Sequence, residues 1–215
     1  MTAFRLILTA LLLLAIELRC LTGPNVISAE EVSASKDTQS VQSTEPQERG
    51  AVSPELAFQS YQTAVEKGDW KTAFLYQTEA SRDYMVGGLL AACHLGVVGE
   101  PGKKLATESA DAAKLKVLVT KALQVAGAEQ SKLAQEMASL VTDQPKFMSH
   151  AIALFKEQKK ENWLAGIGTA KLIRLQIKED RATALMEIRL EKGAGREPMS
   201  FLRRDGRWYV NYSDD

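Results

Sequence analysis

At 215 residues the chain has room for one domain of ordinary size with appendages, and a hydrophobic content of 45% is enough for a real core. Its 27 basic and 27 acidic residues cancel, so it lacks the excess of positive charge on which nucleic-acid binding usually depends. Neither figure separates an enzyme from a binding domain.

In chain order, Arg5, the unbroken apolar run from Leu6 to Ile16 and the polar residues that follow, beginning with Glu17 and Arg19, have the form of an export signal. The run is shorter than the roughly 18–20 apolar residues of a spanning helix. Ile27-Ser28-Ala29 offers a small-residue cleavage site. The expectation is a signal peptide over residues 1–29 and an exported product, periplasmic, secreted or in the cell envelope; left uncleaved, the same run would tether the chain to a membrane. Cys20 follows Arg19 rather than a small residue, which argues against lipidation. Cleavage after Ala29 removes Cys20 and leaves Cys93 alone, so the domain must stand on packing without an internal disulfide.

Residues 30–52 are rich in Ser, Thr, Gln and Glu and cannot bury enough apolar surface to offset their ordering entropy, which predicts a disordered tether. The folded domain is expected over 53–215. Ser53, Pro54 and Glu55 form a helix start, and Phe58, Tyr61 and Val65 follow at helical spacing. Gly68 closes that helix, and Asp69 caps a second one carrying Trp70, Ala73 and Phe74.

Between Asp83 and Glu100 no residue carries a fixed charge, and His94 is the one titratable imidazole there. The spacing predicts a helix over 85–98, with glycines at close approaches to another backbone. Such a helix is either a buried central element or the lining of a cavity. Three further helices are expected on the stripes Ala112 to Ala126, Leu133 to Val141 and Phe147 to Phe155, with Pro145 opening the last.

From Thr169 to Tyr212 the pattern predicts a four-stranded antiparallel meander. A loop at Glu179-Asp180 sets Ile177 against Ala182, Leu175 against Ala184 and Ile173 against Met186. A loop at Asp205-Gly206, which needs positive φ at both residues, sets Arg203 against Trp208, Phe201 against Val210 and Met199 against Tyr212. Gly193-Ala194-Gly195 reads as the hairpin loop between the middle strands. The fold class is therefore α+β, with helices first and a sheet buried on one face.

The segment Ala64-Val65-Glu66-Lys67-Gly68-Asp69-Trp70-Lys71-Thr72-Ala73-Phe74 resembles the opening of a nuclear-transport-factor-2-like domain, also called the cystatin-like cone. Asp205-Gly206-Arg207-Trp208 and its strands resemble the close of one. The likeness covers Ser53 to about Leu95 and Thr169 to Tyr212, and is closest to exported bacterial members. It implies N-terminal helices packed into a curved sheet, with residues 100–162 as a helical insertion that either caps the cone or lengthens its wall. It also implies a homodimer through the outer sheet face, although Arg174, Glu187 and Arg189 on that face leave the matter open.

No spacing here matches a catalytic motif of the isomerases and dehydratases in that superfamily, so no catalytic residue is assigned. A speculative pocket for a small apolar ligand takes His94, Tyr61, Tyr84, Met186 and Phe201. No cofactor and no metal is expected: His94, His150 and Cys93 are too few and too poorly spaced for a metal centre. The expected function is a non-enzymatic binding or protein-interaction module. The alternative is an isomerase- or hydratase-like enzyme with its site between helix 85–98 and the inner sheet face. Nucleic acid is not an expected partner, and a membrane is one only if the N-terminal segment stays uncleaved.

Overall fold

A computed structural model describes residues 50–158, 167–190 and 193–212. The signal peptide expected over 1–29 and the tether, up to residue 49, lie outside the described residues. Within them, seven helices precede a four-stranded antiparallel sheet, which is the α+β order read from the sequence.

Helix α1 (Pro54–Lys67) begins where the capping residues place it: the Ser53 hydroxyl accepts the Leu56 N–H at 3.3 Å, and Glu55 lies in the first turn. Gly68 ends it, and Asp69 opens α2 (Trp70–Leu75) by accepting the Thr72 N–H at 3.0 Å. Those bonds, with Lys71 and Lys67 nearby, hold the Asp69 carboxyl below its usual pKa. The folded region also reaches back past Ser53. Ala51 exchanges two backbone hydrogen bonds with Trp208, at 3.0 and 2.7 Å, and the Gly50 N–H reaches the Leu75 carbonyl at 2.9 Å.

Helix α3 (Glu79–His94) is the centre of the helical layer, with every residue from Tyr84 to Cys93 buried. Its bounds differ from the expected 85–98. Thr78 caps it, accepting the Ser81 N–H at 3.2 Å, so the charged first turn belongs to the helix. At the other end Gly96 takes φ +78°, a conformation that ends a helix. Helices α4 (Gly99–Ser109), α5 (Ala112–Ala122), α6 (Ala128–Ala138) and α7 (Gln144–Glu157) all pack against it. Helix α4 lies ahead of the three expected stripes, at the start of the region read as a helical insertion. Pro101 falls in the first turn, where its missing N–H costs no bond. A side chain at Gly102 would collide with Val98, so the glycine serves a close contact.

The tightest contact in the helical layer lies between α3 and α6. A Cβ on Gly87 would stand 1.9 Å from the carbonyl oxygen of Ala134. The two backbones therefore touch, which leaves no room for a side chain or a ligand between them.

Strands β1 (Lys171–Lys178), β2 (Arg181–Leu190), β3 (Gly193–Arg204) and β4 (Arg207–Asn211) lie in sequence order. The last hairpin keeps the expected register: Arg203 pairs with Trp208 and Phe201 with Val210, and Asp205 and Gly206 have φ of 52° and 76°. The first hairpin keeps it only near its tip, where Ile177 pairs with Ala182. Arg174, at φ +55°, and Leu175 then share one partner position on β2, forming a bulge. Beyond it Ile173 pairs with Leu185 and Leu172 with Met186, so Leu172 rather than Ile173 joins the buried face. The expected Ile173–Met186 pair is thus corrected by one residue. Nor is Gly193-Ala194-Gly195 a loop: these residues pair with Leu190, Arg189 and Ile188 inside β3.

The buried face carries Ala182, Ala184, Met186 and Ile188 from β2, Met199 and Phe201 from β3, and Trp208 and Val210 from β4. The outer edge of β4 is closed by backbone bridges to Ala51 and Gln77. A buried polar knot joins sheet to helices there. The Thr78 and Ser81 hydroxyls lie 2.7 and 3.0 Å from Asn211 Oδ1 and 2.6 Å from each other, and the Tyr212 N–H donates to Ser81 Oγ at 2.7 Å.

Two stability measurements check this packing. Gly87→Ala should cost about 1–3 kcal/mol in urea unfolding, since the α3–α6 contact has no space for the added methyl. Trp208→Ala should cost about 3–5 kcal/mol, since the ring is buried on the inner face beneath the Arg203 guanidinium.

Candidate functional site on the buried sheet face

Parity along the strands fixes what this face can offer. Ser200 pairs with Asn211, so Met199 and Tyr212 follow as the next neighbours. Tyr212 meets Tyr61 of α1 edge to face, with ring centroids 6.2 Å apart. Helix α1 is held beside the sheet from its other flank as well. The Gln62 amide donates to the carbonyls of Ile167, Gly168 and Ala170 at 2.5, 3.0 and 3.1 Å, which fixes the turn leading into β1.

Both phenols are out of water. Burial pushes the Tyr61 hydroxyl well above its ordinary pKa, and the nearness of Tyr212 pushes it further. Burial also raises Tyr212, with a smaller opposing effect from Tyr61. Each is therefore a neutral hydroxyl at ordinary pH, able to donate a hydrogen bond and unsuited to act as a base.

Two residues before Tyr212, Val210 forms a bridge with Gln77, in the connection between α2 and α3. Gln77 is 4% exposed, and neither its amide nitrogen nor its amide oxygen has a hydrogen-bond partner among the described residues. Leaving such groups unmatched costs about 1–3 kcal/mol, so the folded state alone does not account for a glutamine there. On the other side, two residues before Met199, Glu197 pairs with Met186 and shares its face. One two-residue step is about 7 Å, so Gln77 and Glu197 flank the Tyr212–Met199 position from opposite sides.

Of the five residues expected to form a pocket, Tyr61, Tyr84, Met186 and Phe201 are all buried. Met186 and Phe201 share the inner sheet face, and Tyr61 reaches that face through Tyr212. Tyr84 lies one turn beyond Ser81 of the polar knot. His94 is apart from them: it is half-buried at the last position of α3, ten residues and about 15 Å along the helix from Tyr84. Between the two, Gly87 is occupied by the contact with α6. Beside His94, the Cys93 thiol is buried and its pKa is raised to about 12 by desolvation, which keeps it protonated and unreactive.

Tyr212, Gln77 and Glu197 are the residues that the sequence reading missed. Tyr212 had been placed opposite Met199, and the same parity puts Glu197 inward, so both were legible there. Gln77 was not, because its burial depends on the bridge to Val210.

Elsewhere the described surface carries open grooves. One of about 340 Å³ lies along α1 and α2, lined by Gln59, Thr63, Lys67, Asp69 and Tyr76. Another of about 280 Å³ separates α4 from α7 and includes Glu108, Asp143, Lys146 and the exposed His150. A third of about 210 Å³ borders Trp70, Ile152 and Lys156. None of the three is lined by the five expected pocket residues. Among the described residues no cluster of three or more His, Cys, Asp or Glu could hold a metal ion, and no helix is long and apolar enough to cross a membrane.

No protein-family model matches this chain, and neither a characterised protein nor a solved structure matches it.

The two buried phenols give a pH prediction. Both have folded pKa values above the unfolded value of about 10, so their stabilising contribution is complete below pH ~10 and is lost as pH rises beyond it. In an alkaline titration, phenolate absorbance from Tyr61 and Tyr212 should appear only together with unfolding. Tyr61→Phe should weaken that alkaline destabilisation; early, reversible titration of all five tyrosines would contradict it.

Proposed function

We propose that this chain is an exported binding domain that takes a small, largely apolar ligand against the inner sheet face, at the Tyr61–Tyr212 pair. The observation that carries this reading is Gln77, whose donor and acceptor are both buried and have no partner among the described residues. Binding sites of this kind are mostly apolar, with a few placed polar groups that fix orientation. Here the apolar surface is Met186, Met199 and Phe201, and the polar groups are the Gln77 amide and the neutral Tyr61 and Tyr212 hydroxyls. Groups of this type recognise a carbonyl or hydroxyl; they do not abstract a proton.

The resemblance to the nuclear-transport-factor-2-like superfamily belongs to the same proposal. Helices that precede a sheet buried on one face are what that likeness implies. In this reading the insertion lies against the helical side, where α6 packs on α3. Export rests on the signal-like segment from Arg5 to Arg19.

Native mass spectrometry of the protein purified gently from its own host is the test. A retained non-protein mass is expected, and Gln77→Met should lose it while raising the stability of the ligand-free domain by about 1 kcal/mol. A clean mass for the wild type, or an adduct that survives Gln77→Met, would count against this site.

A further inference from the structure

We propose that the bound ligand carries a protonated amine on its apolar body, and that Glu197 is the residue that holds the amine. This deepens the binding reading given above and rests on it.

On β3 the inward positions are Phe201, Met199, Glu197 and Gly195, which pair with Ala182, Ala184, Met186 and Ile188 of β2. All four β2 residues are buried, as are Phe201 and Met199. An apolar residue is what a strand with one buried face would carry at position 197, and a carboxylate stands there instead. Its nearest neighbours on that face are the apolar side chains of Met186, directly across, and Met199, two residues along. Leu172 of β1, beyond Met186, is half-buried and continues the apolar surface.

The adjacent charges have other partners. Arg196 points to the opposite face, where its Nε lies 3.1 Å from Glu187 Oε1. Arg203, also on the inner side, sits over the Trp208 ring. No described residue donates to Glu197 or pairs with it, and partial withdrawal from water raises its pKa. Solvating a carboxylate poorly without compensating it is unfavourable. A cation delivered to this face regains that loss and forms a charge-assisted hydrogen bond. A compact ammonium on an apolar chain fits best, because the chain can lie along Leu172, Met186 and Met199 while its head meets Glu197.

The described part of β4 stops short of this place. β4 pairs with β3 only as far as Ser200, so the stretch of β3 from Arg196 to Met199 has β2 on one side and no described strand on the other. A ligand that approaches Glu197 from the side beside Tyr212 would displace none of the described strands. Pro198 lies in the same stretch, and having no N–H it discourages another strand from pairing there.

The experiment compares decylamine, decanol and decanoate as probes on the purified full chain, by isothermal titration below their aggregation concentrations. Decylamine should bind at least tenfold more tightly than decanol, and decanoate more weakly than either. Glu197→Gln should bring decylamine to the affinity of decanol while leaving decanol unchanged. Glu187→Gln, on the outer face, should change neither. If decanol equals decylamine, or if Glu197→Gln keeps the preference, the assignment of Glu197 is overturned while the apolar site stands. If none of the three binds, the binding reading itself falls with it.

Discussion

The buried knot of Thr78, Ser81 and Asn211 is the constraint on which the arrangement of helices and sheet depends. Asn211 closes the last strand, while Thr78 and Ser81 open the central helix, so residues more than a hundred positions apart meet at one point. The two hydroxyls and Oδ1 of Asn211 form a closed triangle with sides of 2.6, 2.7 and 3.0 Å, while Thr78 accepts the Ser81 N–H and Ser81 accepts the Tyr212 N–H. Backbone bonds from Thr78 to Val210 and from Val210 to Tyr76 run beside it. Fully satisfied polar groups in a low-dielectric interior allow few alternative geometries. The knot thereby fixes how β4 meets α3, and with that the position of Tyr212 against Tyr61.

The helical and sheet sides divide the work. On the helical side Gly87 brings α3 onto the backbone of α6, and the long uncharged run becomes solid packing. On the sheet side, polar groups enter an otherwise apolar face at Tyr61, Tyr212, Gln77 and Glu197. The contrast with the knot is instructive. Thr78, Ser81 and Asn211 lie within hydrogen-bond distance of one another, whereas the buried Gln77 amide has no partner among the described residues and the half-buried Glu197 carboxylate lies beside apolar neighbours. Polar groups retained where folding does not use them are where function is sought first.

The bulge in β1 shows how a local feature changes the membership of a face. One extra residue at Arg174 and Leu175 returns Leu172 to the inner side and sends Ile173 outward. At the hairpin tip, where the expected pairing holds, Ile177 is 56% exposed although its partner Ala182 is buried. Nothing in the alternation of Leu172, Ile173, Leu175 and Ile177 announces this, because each is apolar and either parity gives a plausible strand.

What the sequence determined by itself was local chemistry. Ser53, Asp69 and Asp205-Gly206 act within a few residues of where they stand, through capping oxygens and allowed φ, so the helix starts and the last hairpin were legible without coordinates. The one-faced sheet was legible too, since strand parity is fixed by the backbone. The tertiary structure decided everything that needs two distant segments. It decided that Gly87 meets Ala134, that Gln77 is carried inside by Val210, and that His94 lies about three turns of helix from Tyr84. It also decided that α4 packs against α3 with Gly102 at the close contact with Val98. Local rules are written in the order of residues along the chain, whereas burial depends on which segments come to lie against each other.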